Sequence, residues 1–357
     1  MQQLAEPLEI RRVTELDVES LPRPAISRVH LEIVGDGLAN DILIPILVAR
    51  GKREGPVFGM TAAVHGNELN GIPVIHDLFG NLELSKLRGT LVGVVAINVP
   101  GLHAHERHFV DGQDLNRIFP GREDGTVSQV YAHRLLERII GKFDYLVDLH
   151  TASFGRVNSL YVRADMTNAQ CARMAYLQRP QIIVHNAPSD RTLRGAAMDL
   201  EIPAITVEVG DPQTFQPRLI RSTRIGIRSV LADARMLPQR AVAKGAEPII
   251  CDRSAWLYTD RGGLLEVLPK VADPVREGEV VARLRNAFGD EIRTFAARHD
   301  GVAIGKSVNP VGQTGARILH LGRVAPEDHG YLRREPLVKP SSAGSWPGGP
   351  GGSAPGE

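Results

Sequence analysis

The sequence predicts an α/β protein, a mixed central sheet flanked by helices, with a small all-β region appended at its C-terminal end. Three observations carry this. Short apolar runs bounded by glycine alternate with amphipathic segments as far as about Pro238. After about Val242, glycine or proline recurs every few residues and no helical period is visible. The chain has 357 residues, 43% of them hydrophobic, which suffices for one large core and a second smaller one.

The elements follow in order. "RVHLEIVG" and "DILIPILVARG" read as the two arms of a hairpin. "GPVFGMTAAVHG" and "GTLVGVVAINVPG" read as buried strands. Between them, Ile72, Ile75, Leu78 and Phe79 follow helical spacing, so this stretch predicts strand–helix–strand. A second helix is expected in "SQVYAHRLLERIIGK", with Ser128 as N-cap and Gly141 as C-cap. It leads into the strands "FDYLVDLHTA", "QIIVHNAP" and "IPAITVEVG", and then into a helix carrying "IRSTRIGIRSVLADARML". We expect an α/β domain over residues 1–245, a small β domain over 246–330 and a disordered Gly/Pro/Ser-rich tail over 336–357.

Composition excludes several roles. With 42 basic and 41 acidic residues the net charge is +1, which argues against nucleic-acid or membrane-surface partners held by bulk charge. Two cysteines, Cys171 and Cys251, cannot form a disulfide framework and read as small buried hydrophobes. The N-terminus has no signal-peptide core, and the longest apolar runs are of strand length, so a soluble cytoplasmic protein is expected.

Three predicted strands end in polar groups, which are costly inside a sheet unless they bind a partner. These are His65-Gly-Asn-Glu68, His150 and Glu208. Two close donors and a distant third form a familiar zinc arrangement, and two histidines with a glutamate are a catalytic combination. Gly66 would let the chain turn tightly after the strand. On spacing alone, His65-x-x-Glu68 fits equally a pair of polar residues at a strand-end loop. Residues 106–121, "ERHFVDGQDLNRIFPG", hold Arg107, Asp114, Asn116 and Arg117. The Asn116–Arg117 pair offers an amide and a guanidinium fork for a carboxylate, and the same composition also fits a surface loop.

Four motifs then occur in order: "HGNE" at 65–68, "DLNRIFPG" at 114–121, "DLHTA" at 148–152 and "VEVG" at 207–210. With them the chain resembles the succinylglutamate desuccinylase/aspartoacylase family of zinc-dependent deacylases, over roughly residues 25–235. The resemblance implies one zinc ion per subunit, held by His65, Glu68 and His150, with Glu208 as the catalytic glutamate. It implies that Asn116 and Arg117 grip a substrate carboxylate, that Arg107 polarises the scissile carbonyl, and that Asp114 supports a zinc-ligating histidine. The implied activity is hydrolysis of a non-peptide linear amide. An acetyl, succinyl or similar group would leave an N-acylated amino acid or related small amine, by metal-activated water with Glu208 as base. Beside a cation, Glu208 is expected to stay ionised. Two other readings remain: a zinc carboxypeptidase acting on peptides, and a non-catalytic binding protein with a decayed metal site.

The C-terminal stretch resembles a lipoyl/biotinyl-type β hybrid, but neither Lys270 nor Lys306 sits where a carrier lysine would. Its expected role is to shape the active-site mouth or to make a subunit contact in a homo-oligomer. "GKS" at 305–307 is not a P-loop, because Asp300 stands where glycine is required. Arg191 and Arg194 read as arginines on a solvated helix start, and His103, His105 and His108 as a cluster without a function.

Overall fold

In the computed structural model, residues 9–188, 191–239 and 246–326 are described. The expected tail at 336–357 lies outside them, as do residues 240–245 at the expected domain boundary. Strand β1 (Ile10–Val13) runs parallel to β2 (Ala25–Gly35), which forms the predicted antiparallel pair with β3 (Asp41–Arg50). Leu31 faces Ile44 and Val29 faces Ile46, so the alternating apolar residues enter one core. Strand β4 (Arg53–Ala62), helix α1 (Gly71–Gly80) and strand β5 (Arg88–Val94) form the strand–helix–strand unit, with β4 and β5 parallel. Helix α1 buries Val74, Ile75, Leu78 and Phe79 against the sheet.

Helices α2 (Val99–Ala104) and α3 (Val127–Arg138) follow. The caps of α3 differ from expectation. Thr126, not Ser128, is the N-cap, and its backbone N–H donates to the Gln129 side chain at 2.9 Å. Ser128 lies inside the helix and donates to Asp111 at 2.6 Å. The helix stops at Arg138, and Gly141 falls in a short 3₁₀ turn beyond it. Next come β6 (Tyr145–His150), β7 (Arg156–Asn158), β8 (Leu160–Ala164), α4 (Ala169–Leu177), β9 (Ile182–His185), α5 (Leu193–Asp199), β10 (Ala204–Val209) and α6 (Pro217–Asp233).

The sheet order is β1-β2-β3-β5-β4-β6-β10-β8-β9, and β4, β6 and β10 are parallel neighbours at its centre. It continues into the C-terminal region, because β11 (Ile249–Tyr258) pairs parallel with β9. That region is all strand among the described residues. It holds β12 (Gly263–Val267), β13 (Pro274–Val275), β14 (Val280–Arg285), β15 (Glu291–Ala296), β16 (Gly301–Ser307), β17 (Val311–Gly312) and β18 (Arg317–Val324). Strands β18, β16 and β13 extend the large sheet, β7 pairs with β16, and a separate sheet runs β15-β14-β12-β17. Leu257, Val281, Leu284, Ile318 and Leu321 fill the core of this region. No helix among the described residues is long and apolar enough to cross a membrane.

The loop after β4 is fixed by backbone contacts. Ala63 adopts a left-handed conformation (φ 51°), and its carbonyl accepts from Asn98 N–H at 2.9 Å. Gly66 has no positive φ. A Cβ there would lie 2.0 Å from the carbonyl carbon of Gly101 in α2, so the glycine serves close approach rather than the tight turn expected from sequence. Gly66→Ala should therefore lower stability by about 3 kcal/mol, the upper end for overpacking. Urea denaturation would measure this, and an unchanged midpoint would contradict it.

Candidate active site

The C-terminal ends of β4, β6 and β10 meet at one point. His65 and Glu68 follow β4, His150 ends β6, and Glu208 of β10 stands in register beside His150. One ligand atom from each of His65, Glu68 and His150 can be chosen so that all lie within 4.8 Å of one another. These three side chains are buried, at 2%, 2% and 3% exposure. His65 Nδ1 lies 2.9 Å from Glu68 Oε1, and His150 Nδ1 lies 2.9 Å from Glu68 Oε2.

Each imidazole is held from behind by a carboxylate. Asp114 Oδ1 is 2.9 Å from His65 Nε2, and Asp148 Oδ2 is 2.7 Å from His150 Nε2. Thr61 donates to the other oxygen of Asp148 at 2.7 Å. Carboxylates on both Nε2 atoms orient both Nδ1 atoms towards Glu68, as metal-ligating histidines require. His65 Nδ1 is buried and makes no hydrogen bond despite its closeness to Glu68. An unpaired buried nitrogen beside a carboxylate and a second imidazole fits a metal-binding donor set.

Electrostatics follow from the geometry. Burial alone would raise the Glu68 carboxyl pKa, but His65 and His150 hold it well below the usual carboxylate range. Burial would lower that of His150, but Asp148 and Glu68 push it well above its ordinary value. Burial likewise works against ionised Asp114, and His65 with Arg107 hold it low. Glu208 moves the other way. Burial raises its pKa, Glu68 adds to this, and His150 and Arg163 only partly offset it, so in the chain alone its charged form is less favoured than expected.

Arg107 enters the same cluster. It donates to Glu68 Oε1 at 2.9 Å, to Ser153 Oγ at 2.8 Å and through two nitrogens to Asp114 Oδ2 at 2.9 and 3.1 Å. Asn116 is buried at the cavity wall. Its Oδ1 accepts the backbone N–H of Leu193 at 2.8 Å, which leaves the amide nitrogen as the group available to a ligand. Arg117 is exposed at the same wall and donates to the Asn116 carbonyl at 2.8 Å. Asn158 donates to Glu208 at 3.2 Å, and Arg163 lies 3.8 Å from it.

These residues line a cavity of about 730 Å³, and the C-terminal strands supply part of its wall through Trp256, Tyr258, Arg317 and His320. One arginine expectation needs revision. Arg194 is 1% exposed, lines the cavity and donates to the carbonyls of Asn186 and Ala187, because the chain at 186–187 folds over the start of α5. Only Arg191 is exposed as expected. His108 also lines the cavity, unlike His103 and His105.

Sequence reading missed Asp148 and the polar pairs Arg156/Asn158 and Tyr161/Arg163. Their signal was period-2 spacing: residues two apart on a strand share a face, so Asp148 lies on the face of His150. Asp148→Asn should weaken metal binding about 10–100-fold. Chelator competition would measure this, and wild-type affinity in the variant would contradict it.

Comparison with known proteins identifies the family. Residues 54–234 match the succinylglutamate desuccinylase/aspartoacylase catalytic domain. The chain is 26% identical over 276 residues to an N-alpha-acetyl-L-2,4-diaminobutyric acid deacetylase of Halomonas elongata, covering 73% of this chain and 80% of that protein. It is 25% identical over 201 residues to a succinylglutamate desuccinylase of Yersinia enterocolitica, covering 51% of this chain and 60% of the relative. Its fold matches the product-bound ectoine utilization protein EutE (DoeB) from Ruegeria pomeroyi with a TM-score of 0.77 at 23% identity, covering 85% of this chain and 98% of that one. A succinylglutamate desuccinylase/aspartoacylase from Rhodobacter sphaeroides matches with a TM-score of 0.76 at 23% identity, covering 87% and 98%. The chain belongs to the succinylglutamate desuccinylase/aspartoacylase family and is a hydrolase of amide C–N bonds.

Proposed function

We propose that this chain is a zinc-dependent deacylase that hydrolyses N-acylated amino acids or closely related small amines, releasing a carboxylic acid and an amine. The observation that carries this reading is the convergence of His65, Glu68 and His150 beside Glu208. Two imidazoles and a carboxylate suit zinc. Charge balance points the same way. Four carboxylates, Glu68, Asp114, Asp148 and Glu208, gather around two guanidiniums, Arg107 and Arg163. A divalent cation held by His65, Glu68 and His150 would offset part of the negative charge gathered there. When bound, such an ion supplies Lewis acidity, lowering the pKa of a water and polarising a carbonyl.

The chain's own groups do the rest. Glu208 takes a proton from the attacking water and returns it to the leaving nitrogen. Asn158 fixes one of its oxygens. Arg107 stabilises the negative charge that develops on the amide oxygen. The Asn116 amide nitrogen and the Arg117 guanidinium grip the substrate's carboxylate. The C-terminal wall of the cavity favours a small substrate over a peptide. We read that region as a lipoyl/biotinyl-type hybrid without a carrier role. Lys306 of β16 is tied to β12 by donation to the Val267 carbonyl at 3.0 Å.

Glu208→Gln should reduce turnover about 10²–10⁴-fold while one zinc per chain is retained. Activity assays with elemental analysis would test this; loss of zinc would reassign Glu208 as a ligand, and full turnover would remove it from the chemistry. Chelation should abolish hydrolysis and zinc should restore it, whereas activity that survives exhaustive chelation would contradict the metal-dependent reading.

A further inference from the structure

Six arginines line the cavity: Arg107, Arg117, Arg156, Arg163, Arg194 and Arg317. Arg107 is bound to Glu68 and Asp114, Arg163 faces Glu208, and Arg194 is held by backbone carbonyls. Arg117 belongs to the carboxylate clamp. Arg156 at the start of β7 and Arg317 at the start of β18 are different. Neither has a carboxylate within ion-pair distance among the described residues. Both guanidinium groups lie over the Trp256 ring instead, at 6.0 and 5.4 Å from its centroid.

This is an unusual use of two cations. Each gains from the indole, but like charges on one ring repel, and Arg156 is half-buried. Burial, followed by Arg317 and Arg107, lowers the Arg156 pKa. The platform beneath them is rigid. Trp256 pairs across strands with His320, stacked at 5.1 Å and 10°, and His320 Nε2 lies 2.8 Å from Ser254 Oγ. Burial and the surrounding arginines hold His320 neutral, so it adds no further charge. Two guanidiniums on an aromatic support, neither in an ion pair with a carboxylate among the described residues, suit a planar anion.

We propose that Arg156 and Arg317 form a second anion subsite, so that the preferred substrate carries two carboxylates and a cationic side chain is rejected. One carboxylate is taken by the Asn116–Arg117 clamp and the other by this pair; the assignment rests on the deacylase reading above. The second carboxylate can belong to the acyl group or to the amine.

The test uses the full-length zinc-loaded protein and four substrates. N-acetylalanine carries one carboxylate, N-succinylalanine a second on the acyl group, and N-acetylaspartate a second on the amine. Nα-acetyl-2,4-diaminobutyrate carries a cation. At least one dianionic substrate should exceed N-acetylalanine in kcat/KM by about 10–100-fold, the range of one charge-assisted hydrogen bond, and the cationic one should fall below it. The better dianion identifies the end that the subsite reads. In Arg156→Gln and Arg317→Gln this ratio should drop about 10-fold, and Arg317→Lys should recover part of it. Equal kcat/KM for N-acetylalanine and both dianions, or preference for the cation, would overturn the subsite while leaving the deacylase intact. If none of the four is hydrolysed, the deacylase reading fails, and calorimetry decides the subsite separately. Succinate should then bind at least about 10-fold more tightly than butyrate and lose that advantage in Arg317→Gln; equal binding would overturn it.

Discussion

The arrangement depends on one carboxylate. Glu68 lies between two imidazoles and accepts from Arg107, Ser153 and the Thr151 backbone N–H. A buried carboxylate without such partners would cost several kcal/mol and would protonate instead. Its neighbours are constrained in turn, because each imidazole must place one nitrogen on Glu68 and the other on Asp114 or Asp148. The centre is therefore a chain of charges, carboxylate–imidazole–carboxylate–imidazole–carboxylate, with arginines at its edge. Such a chain stays together only if positive charge is supplied. In the chain alone His150 supplies it by holding its proton; a bound divalent ion would release that proton.

The fold brings this chain of charges together economically. Three adjacent parallel strands deliver their C-terminal ends to one place, and parallel register sets Glu208 beside His150 without any loop rearrangement. The loop after β4 is fixed from outside by α2, which presses on Gly66, and by the Asn98 N–H, which donates to the carbonyl of left-handed Ala63. The C-terminal strands are bound to the same sheet through β9–β11 and β7–β16 pairing. Residues such as Trp256 and His320 thus reach the cavity from a rigid frame, which fits a role in selecting substrates more than in gating them.

Much of this was legible in the sequence where polar residues interrupt apolar strands. "AAVHGNE", "LVDLH" and "ITVEV" announced themselves because a histidine or glutamate at a strand end is expensive without a purpose. The α/β class followed from period and punctuation. Asp148 was not read because it lies inside an apolar strand where only its partner Thr61, from another strand, gives it meaning. Arg194 was placed on a solvated helix start because local pattern cannot reveal that residues 186–187 cover it. Ser128 lost the cap to Thr126 because Gln129 can reach back only to the latter's N–H. The arginine wall is the extreme case. Positions 156 and 317 are joined only by the register of β7, β16 and β18.

The central claim is that His65, Glu68 and His150 form the metal centre. Anomalous diffraction from crystals of the zinc-loaded protein, recorded on either side of the zinc absorption edge, tests it most directly. The account predicts one strong peak per chain, bounded by His65, Glu68 and His150 with Glu208 nearby. A peak instead at the surface histidines 103, 105 and 108, or a Glu68 still bridging two imidazoles with no metal between them, would contradict it.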